Sequence, residues 1–331
     1  MKIDSYAHIL PLKFREALYN SPNLKSWVKK QLEAIPGTYD YDLRFRMLDK
    51  YDCMQVLTLV TPPIEDIADT KDAVDLAKRA NDEMAELVNR YPDRFVAAIA
   101  ALPLNDMEAT VQEVDRAIND LKFRGIQIFS SIMNEPLDSP QFMPLYEKMV
   151  DYDLPLLIHP VRGSTRPDYI NEKESKYGIW SVFGWPYDTT AAMTRLVFSG
   201  IFEKYPTIKF MTHHCGGMVP YFEGRINDAY DMLEMRYKGN PKKGLTKPLL
   251  DYYRMFYADT AINGSVPGLT CGYKFFGPER ILFCTDTPFD SQLGFRLVRE
   301  GIEGIEQMDI PESHRKMIFE DNARKLFRLP I

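Results

Sequence analysis

Residues 154–160 read Leu154-Pro155-Leu156-Leu157-Ile158-His159-Pro160, an apolar run of strand length that finishes on a histidine. Short apolar runs of this kind, separated by segments of helical periodicity, are typical of buried strands. Similar runs recur along the chain, at residues 1–4, 55–60, 95–102, 125–130, 208–213, 255–260 and 281–286. The intervals between them are long enough for helical crossovers, so the strands are expected to pair in parallel. A closed (β/α)8 TIM barrel with a C-terminal helix satisfies this pattern.

Helical periodicity between the strands predicts helices at residues 71–91, 107–121, 141–152, 190–204 and 311–327. No Gly/Ser linker or low-complexity tract divides the 331 residues, so we expect one domain over residues 1–331. The longest stretch without clear periodicity, residues 161–185, follows the fifth predicted strand and is rich in Arg, Tyr and Trp. Long loops in compact domains are often lids or binding loops, which makes this stretch a candidate part of a site.

Composition excludes several classes of function. The net charge is −6 and no stripe of Lys and Arg interleaves with aromatic residues, so a nucleic-acid partner is not expected. No apolar run approaches the roughly 20 residues that span a bilayer, which argues against a membrane protein. The four cysteines are scattered without Cys-x-x-Cys spacing, and the first residues lack the pattern of a signal peptide. We therefore expect a cytoplasmic protein.

Four of the five histidines lie at or just beyond the ends of predicted strands. His8 follows the first strand, His159 ends the fifth, and the pair His213-His214 ends the sixth, while Asp286 ends the eighth. The carboxyl ends of barrel strands meet on the face that holds the active site, so these side chains are expected to converge. A single histidine is more often an ordinary hydrogen-bonding residue, but a set at four strand ends favours a site.

Two imidazoles and a carboxylate suit one divalent metal ion, with Zn²⁺ the first expectation and Mn²⁺ or Fe²⁺ as alternatives. The predicted ligands are His8, His159 and Asp286, which leave a coordination position for water or substrate. His214 would then be free for proton transfer, and Asp286 is the other candidate for that role. The fifth histidine, His314, lies in a charged helical segment and is expected at the surface.

Motifs in the same order as in a known family extend along nearly the whole chain: Ile3-Asp4-Ser5-Tyr6-Ala7-His8, Leu156-Leu157-Ile158-His159-Pro160, the block of residues 213–225, Thr285-Asp286-Thr287-Pro288-Phe289 and Asp321-Asn322-Ala323. They resemble the amidohydrolase superfamily, in the branch of aminocarboxymuconate-semialdehyde decarboxylase and the γ-resorcylate and dihydroxybenzoate decarboxylases. The fourth strand ends in Phe129-Ser130-Ser131 and offers no lysine to bridge two metals, so the resemblance implies a single ion.

The resemblance also implies roles for residues of the sixth strand and the segment after it. His214 falls on the catalytic histidine of the family, and His213 would either support it or pack in the core. Packing is favoured because neighbouring residues on a strand point to opposite faces. Arg225 falls on an arginine that reaches across a dimer interface to bind the substrate carboxylate, which implies a homodimer or a dimer of dimers. A guanidinium suits that role, but a structural ion pair is an equal alternative.

The sequence departs from the family at Tyr6, where the first histidine of the opening motif normally lies. Tyr6 either binds the metal as a phenolate or lines the site as a hydrogen-bonding group. A free phenol ionises near pH 10, and only direct metal contact would ionise it at neutral pH, so the lining role is favoured. A tyrosine buried in the barrel floor is the third possibility.

Two reaction classes fit these residues: decarboxylation of a metal-chelated small carboxylic acid, and attack of metal-activated water on a lactone, amide or other carbonyl compound. The branch that the motifs resemble favours an aromatic or unsaturated carboxylic acid as substrate and a carboxy-lyase reaction. The aromatic side chains of the long loop, Trp180, Phe183 and Trp185, would either stack on a planar substrate ring or only pack in the protein. Arg46 would bind the substrate anion, although a structural salt bridge is expected for at least one of Arg44 and Arg46. A non-catalytic barrel that has lost a ligand at Tyr6 is a further alternative.

Overall fold

The computed structural model describes residues 1–22, 24–236, 242 and 244–331, without the side chain of Trp27. Within these residues, strands alternate with helices along the chain, as the predicted pattern requires. The barrel strands are β1 (Lys2–Ile9), β2 (Cys53–Leu59), β3 (Phe95–Ala98), β4 (Ile126–Phe129), β5 (Leu156–His159), β6 (Phe210–Thr212), β7 (Tyr257–Asp259) and β8 (Ile281–Leu282). A short antiparallel hairpin, Ser131–Ile132 with Glu135–Pro136, follows β4.

The strands pair in parallel with their sequence neighbours. One parallel sheet contains β1, β2 and β3, and a second contains β4 to β8. A parallel bridge between Ala100 and Ile126 joins the two sheets. Backbone hydrogen bonds close the ring, because Ser5 N–H donates to the Phe283 carbonyl at 2.9 Å and His8 N–H to the Thr287 carbonyl at 3.1 Å. The predicted (β/α)8 barrel is confirmed.

Many helices begin at a capping residue that the sequence provides. Asp40, Asp69 and Asp106 each accept a hydrogen bond from the backbone N–H three residues on, which satisfies a free donor of the first turn. The helices of the described residues are α1 (Leu12–Tyr19), α2 (Ser26–Glu33), α3 (Tyr41–Tyr51), α4 (Thr70–Arg90), α5 (Met107–Asn119), α6 (Met143–Tyr152), α7 (Ile179–Val182), α8 (Gly184–Phe198), α9 (Ile201–Lys204), α10 (Glu223–Arg236), α11 (Leu249–Tyr253), α12 (Val266–Phe276), α13 (Phe295–Glu306), α14 (Glu312–Lys316) and α15 (Asn322–Leu326). None of them is long and apolar enough to cross a membrane.

Several predicted boundaries are wrong in ways that affect the site. β1 runs to Ile9, so His8 lies within the strand and not after it. β8 ends at Leu282, so Asp286 is placed by a turn and has a left-handed φ of 60°. The helix predicted at residues 190–204 is two helices, α8 and α9, and α8 begins at Gly184 inside the stretch that showed no periodicity. The C-terminal helix contains a π-helical turn, Met317–Asp321, between α14 and α15.

The barrel interior fixes which side chains reach the mouth. Ile3, Val56, Ala97, Leu157, Met211 and Leu282 belong to one buried cluster drawn from different strands. Alternate residues of a strand share a face, so His159 lies on the same side of its strand as Leu157. In the same way, His213 continues the face of Met211 beyond the end of β6.

Candidate metal centre

Four side chains converge at the carboxyl ends of the strands. Ligand atoms of His8, His159, His213 and Asp286 all lie within 4.8 Å of one another. Asp286 Oδ1 lies 3.2 Å from His8 Nε2 and 3.3 Å from His213 Nε2. Ligand atoms ~2.0–2.2 Å from one ion are separated by roughly 3 to 4.4 Å, so this arrangement fits a divalent ion. Among the described residues, neither ring nitrogen of the fully buried His8 makes a hydrogen bond of good geometry, and Nε2 faces Asp286 Oδ1, so this ring has a lone pair to offer the ion.

Hydrogen bonds behind the cluster orient its rings. His159 Nδ1 lies 2.6 Å from the Pro160 carbonyl, which can only accept, so this nitrogen carries the proton and Nε2 presents its lone pair. Arg44 is buried and donates to the backbone carbonyl of His8 and, at 2.9 Å, to Gln55 Oε1. Support of this kind is usual behind metal-binding histidines because it fixes the tautomer and the ring position.

His213 is held by a carboxylate of the next strand. Its Nδ1 makes a short hydrogen bond with Asp259 Oδ2. The other oxygen, Asp259 Oδ1, accepts from the backbone N–H of Cys215 at 2.9 Å and of Ala261 at 3.1 Å. The prediction that His213 packs on the opposite face is wrong, because His213 is still extended and continues the inward face of Met211, while the positive φ of His214 breaks the alternation between the two histidines.

The charges of the site favour a cation at its centre. Burial alone would raise the pKa of Asp286, but the surrounding histidines, His213 foremost, hold it well below its usual range. Burial opposes protonation of His213, yet Asp259 and Asp286 outweigh it and raise the pKa of His213 to about 10. Burial and the neighbouring His213 lower the pKa of His159 well below its usual range. A neutral His159 and an ionised Asp286 are the protonation states that metal binding requires.

His214 stands beside the cluster on a strained turn. His214 and Cys215 both have φ of 54°, and Gly216 and Gly217 continue the left-handed run. A Cβ at Gly217 would lie 2.3 Å from the Pro186 carbonyl, so a side chain is excluded there. His214 Nε2 lies 3.8 Å from Asp286 Oδ2, and burial, followed by His213, lowers the pKa of His214. Non-glycine residues in this conformation cluster at functional sites, which agrees with the predicted role of His214.

Aromatic rings cover the cluster. Trp185 stacks on His214 with centroids 6.0 Å apart and meets His159 edge-on at 5.7 Å. Phe289 meets His8 at 5.1 Å, and Phe129 meets His159 at 6.1 Å. Trp180 touches Trp185 at 5.4 Å and so forms a second layer. The stretch that lacked periodicity therefore folds over the site.

Tyr6 lies inside the cluster. Its ring is 4.8 Å from that of His213 and 5.1 Å from that of His8, and its buried hydroxyl has no hydrogen-bond partner within the described part of the chain. Burial and the charge of Asp286 raise the pKa of Tyr6 well above its usual value. In the structure the phenol lies in the wall of the site, beside the predicted ligands, and not in the barrel floor.

Other predicted residues lie away from the cluster. Arg46 is exposed on α3 and makes no hydrogen bond, ion pair or ring contact with the cluster in the described chain; Arg44, two residues earlier, is the one that reaches it. Phe183 is 63% exposed, so the structure does not show it lining the site. Arg225 is exposed on α10. The sequence analysis did not predict Asp259 as a residue of the site. It could have done so by the argument used for Asp286, because Asp259 is also a polar residue at the end of a strand.

Comparison with known proteins decides the family. Residues 3–329 match the family model described as amidohydrolase. The chain belongs to the amidohydrolase family. It is 32% identical over 315 residues to γ-resorcylate decarboxylase of Rhizobium radiobacter, covering 89% of this chain and 92% of that protein. It is 28% identical to 2-amino-3-carboxymuconate-6-semialdehyde decarboxylase of Dictyostelium discoideum, covering 99% and 92%.

A solved structure extends the similarity of this amidohydrolase. Dihydroxybenzoic acid decarboxylase from a Polaromonas species, with bound manganese and the inhibitor 2-nitroresorcinol, matches with a TM-score of 0.82 at 28% identity, covering 99% of this chain and 96% of that one. The predicted branch is confirmed, together with the predicted enzyme class, a carbon–carbon lyase acting as a metal-dependent decarboxylase. A divalent metal cofactor is supported as well; its identity as zinc stays a prediction, since the relative carries manganese.

Proposed function

We propose that this amidohydrolase removes CO₂, without oxidation, from a hydroxylated aromatic acid or a similar unsaturated carboxylic acid, using His8, His159 and Asp286 as metal ligands. The observation that carries the proposal is the convergence of these donors within 4.8 Å, next to His214 and beneath Trp185. Zn²⁺ suits such a mixed nitrogen and oxygen donor set, and Mn²⁺ is the alternative that the Polaromonas relative supports.

The chain's own residues account for proton transfer. A divalent ion would orient the substrate's carboxylate and adjacent oxygen and stabilise the negative charge that develops. Once protonated from solvent, His214 delivers that proton to the ring carbon that carries the carboxylate, and its lowered pKa favours the release. The bond from that carbon to the carboxylate then breaks, CO₂ leaves, and the electron pair restores the ring. Asp286 Oδ2 faces His214 Nε2 at 3.8 Å, so the ionised carboxylate would stabilise the protonated imidazole before transfer, while Oδ1 faces His8 and His213.

The lining of the site supports a planar substrate. Trp185 and Phe289 contact rings of the cluster and its neighbour His214, and Phe129 contacts His159. Apolar and aromatic walls with few polar groups favour a ring over an extended polar chain. γ-Resorcylate and dihydroxybenzoate, named for the relatives, are therefore the first substrates to test.

The test is product mass. Metal-analysed protein is incubated with a panel of hydroxybenzoates, an aminocarboxymuconate-type acid and small lactones. We expect loss of CO₂ from at least one hydroxybenzoate, and no product after the metal is removed by a chelator. Gain of water by a lactone would instead establish a hydrolase. A protein that binds no stoichiometric metal and turns over nothing would support the non-catalytic barrel.

We also propose a homodimer formed through α10 and the loop before α8. Large apolar side chains are exposed at three places: Met235 on α10 (81%), Tyr221 just before α10 (78%) and Phe183 just before α8 (63%). α10 packs against α8, because the Tyr230 and Phe198 rings lie 4.5 Å apart. Large exposed apolar side chains are a common feature of protein interfaces. Arg225 lies on α10, so this interface would place it next to the partner's site, where its guanidinium can bind a substrate carboxylate.

The oligomer prediction can be checked by light scattering. Wild-type protein should show the mass of a dimer or a multiple of it. Met235→Lys should shift the population toward monomer, because it places a charge in apolar surface that the dimer would bury. Leu12→Lys is the matched control, since Leu12 is 47% exposed on a different helix and its change should leave the mass unaltered. A monomeric wild type at micromolar concentration would contradict the proposal.

A further inference from the structure

We propose that His213 is a fourth protein ligand of the metal, supplied by the end of β6, and that it takes over the coordination position that Tyr6 leaves without an imidazole. The inference rests on the metal site of the proposed function and adds to it a ligand outside the set predicted from the sequence. It predicts three histidines and one carboxylate around the ion.

The position of the His213 ring fits a ligand. Its Nε2 lies 3.3 Å from Asp286 Oδ1, nearly the distance at which His8 Nε2 approaches the same oxygen, 3.2 Å. Two imidazole nitrogens on one carboxylate oxygen at such distances correspond to neighbouring corners of a coordination polyhedron around an ion with bonds of ~2.0–2.2 Å. The His159 and His213 rings are 5.0 Å apart, so both can face the same point.

The hydrogen bond on the far side of the ring supports the same role. With Nδ1 bound to Asp259, His213 presents Nε2 to the cluster, as His159 does through its Nδ1 contact with the Pro160 carbonyl. Asp259 is itself fixed by two backbone N–H groups, of Cys215 and Ala261. A carboxylate that holds the outer nitrogen of an imidazole is the usual partner of a metal-binding histidine. A histidine that only filled space would not need so rigid an anchor.

Tyr6 and His213 are neighbours, and this makes an exchange of roles possible. Their ring centroids lie 4.8 Å apart, so the two side chains flank the same part of the cluster. The Tyr6 hydroxyl makes no hydrogen bond with any residue that the structure describes, and its ring is buried among histidines. A neutral phenol is a weak ligand, whereas the neutral imidazole of His213, with its proton on Nδ1 next to Asp259, is a good one, and a cation at the centre would displace the proton from Nε2. Tyr6 then limits the space beside the ion and His213 binds it.

The decisive measurement is the number of imidazole nitrogens on the metal, counted by electron spin echo envelope modulation on Mn²⁺-loaded protein. We expect three in the wild type and two in His213→Ala, with Mn²⁺ affinity in the variant lowered more than about 10-fold in competition with a chelator. Asp259→Asn should keep three nitrogens and lose about 10- to 100-fold in affinity. If His213→Ala does not fold, the number of imidazole nitrogens counted in the wild type still tests whether His213 is a ligand. His213→Gln is the second variant for that case.

Two neighbours serve as controls. Tyr6→Phe and His214→Asn should each retain three nitrogens and near wild-type affinity, since neither side chain is a ligand in this assignment. Two nitrogens in the wild type, or an unchanged count and affinity in His213→Ala, would overturn the role of His213 while the decarboxylase proposal stands. Loss of a nitrogen in Tyr6→Phe but not in His213→Ala would assign the position to residue 6. A wild type that binds neither Mn²⁺ nor Zn²⁺ overturns both proposals.

Discussion

His159→Ala should purify as a folded protein that has lost its metal and all turnover above background. His159 is buried at the end of β5, and its Nε2 is the donor from that side of the barrel. Replacing a residue that only supports a ligand costs about 10- to 100-fold in metal affinity, so removing the ligand itself should cost more than 100-fold. The lost hydrogen bond from Nδ1 to the Pro160 carbonyl should reduce stability by only about 1 kcal/mol. Metal analysis after gel filtration, with thermal unfolding, measures both effects.

His314→Ala is the control for this variant. His314 lies on α14, partly exposed, with its Nδ1 2.7 Å from the Tyr273 hydroxyl, and it is not among the residues of the cluster. The same substitution there should leave metal content and turnover unchanged. If His159→Ala retained a full equivalent of metal, the assignment of His159 as a ligand would be wrong.

The strand ends of this protein could be predicted from the sequence because parallel pairing determines which ends meet. An apolar run that finishes on a polar residue, such as residues 154–159, needs no further information to place His159 at the mouth. His8 and Asp286 were brought to the same cluster by this argument, although His8 lies within β1 and Asp286 four residues beyond β8. The exact residue at which each strand ends was not needed to predict that these side chains meet.

Side-chain direction beyond a strand end could not be predicted in the same way. Alternation of faces holds only where the backbone is extended: His213 is still extended, whereas His214 begins a run of positive φ angles that turns its side chain toward the same carboxylate. The directions of Arg44 and Arg46 on α3 could not be predicted either, since both residues carry the positive charge that an anion site needs. Residues two apart on a helix face different directions, and only packing showed that Arg44 is the buried one.

His214→Asn should keep the metal and lose turnover by about 10²- to 10⁴-fold, the usual contribution of a positioned proton donor. The substitution suits the backbone, because His214 has φ of 54° and asparagine tolerates the left-handed region better than most residues. Removal of the ring leaves Trp185 without its stacking partner, but the four donor side chains of the cluster are untouched. The loss of rate should therefore appear in kcat, measured as CO₂ release from the best substrate of the panel, with metal content unchanged. Partial recovery on addition of free imidazole would identify the missing function as proton transfer, whereas wild-type rates in His214→Asn would exclude His214 as the proton carrier and leave Asp286 as the acid.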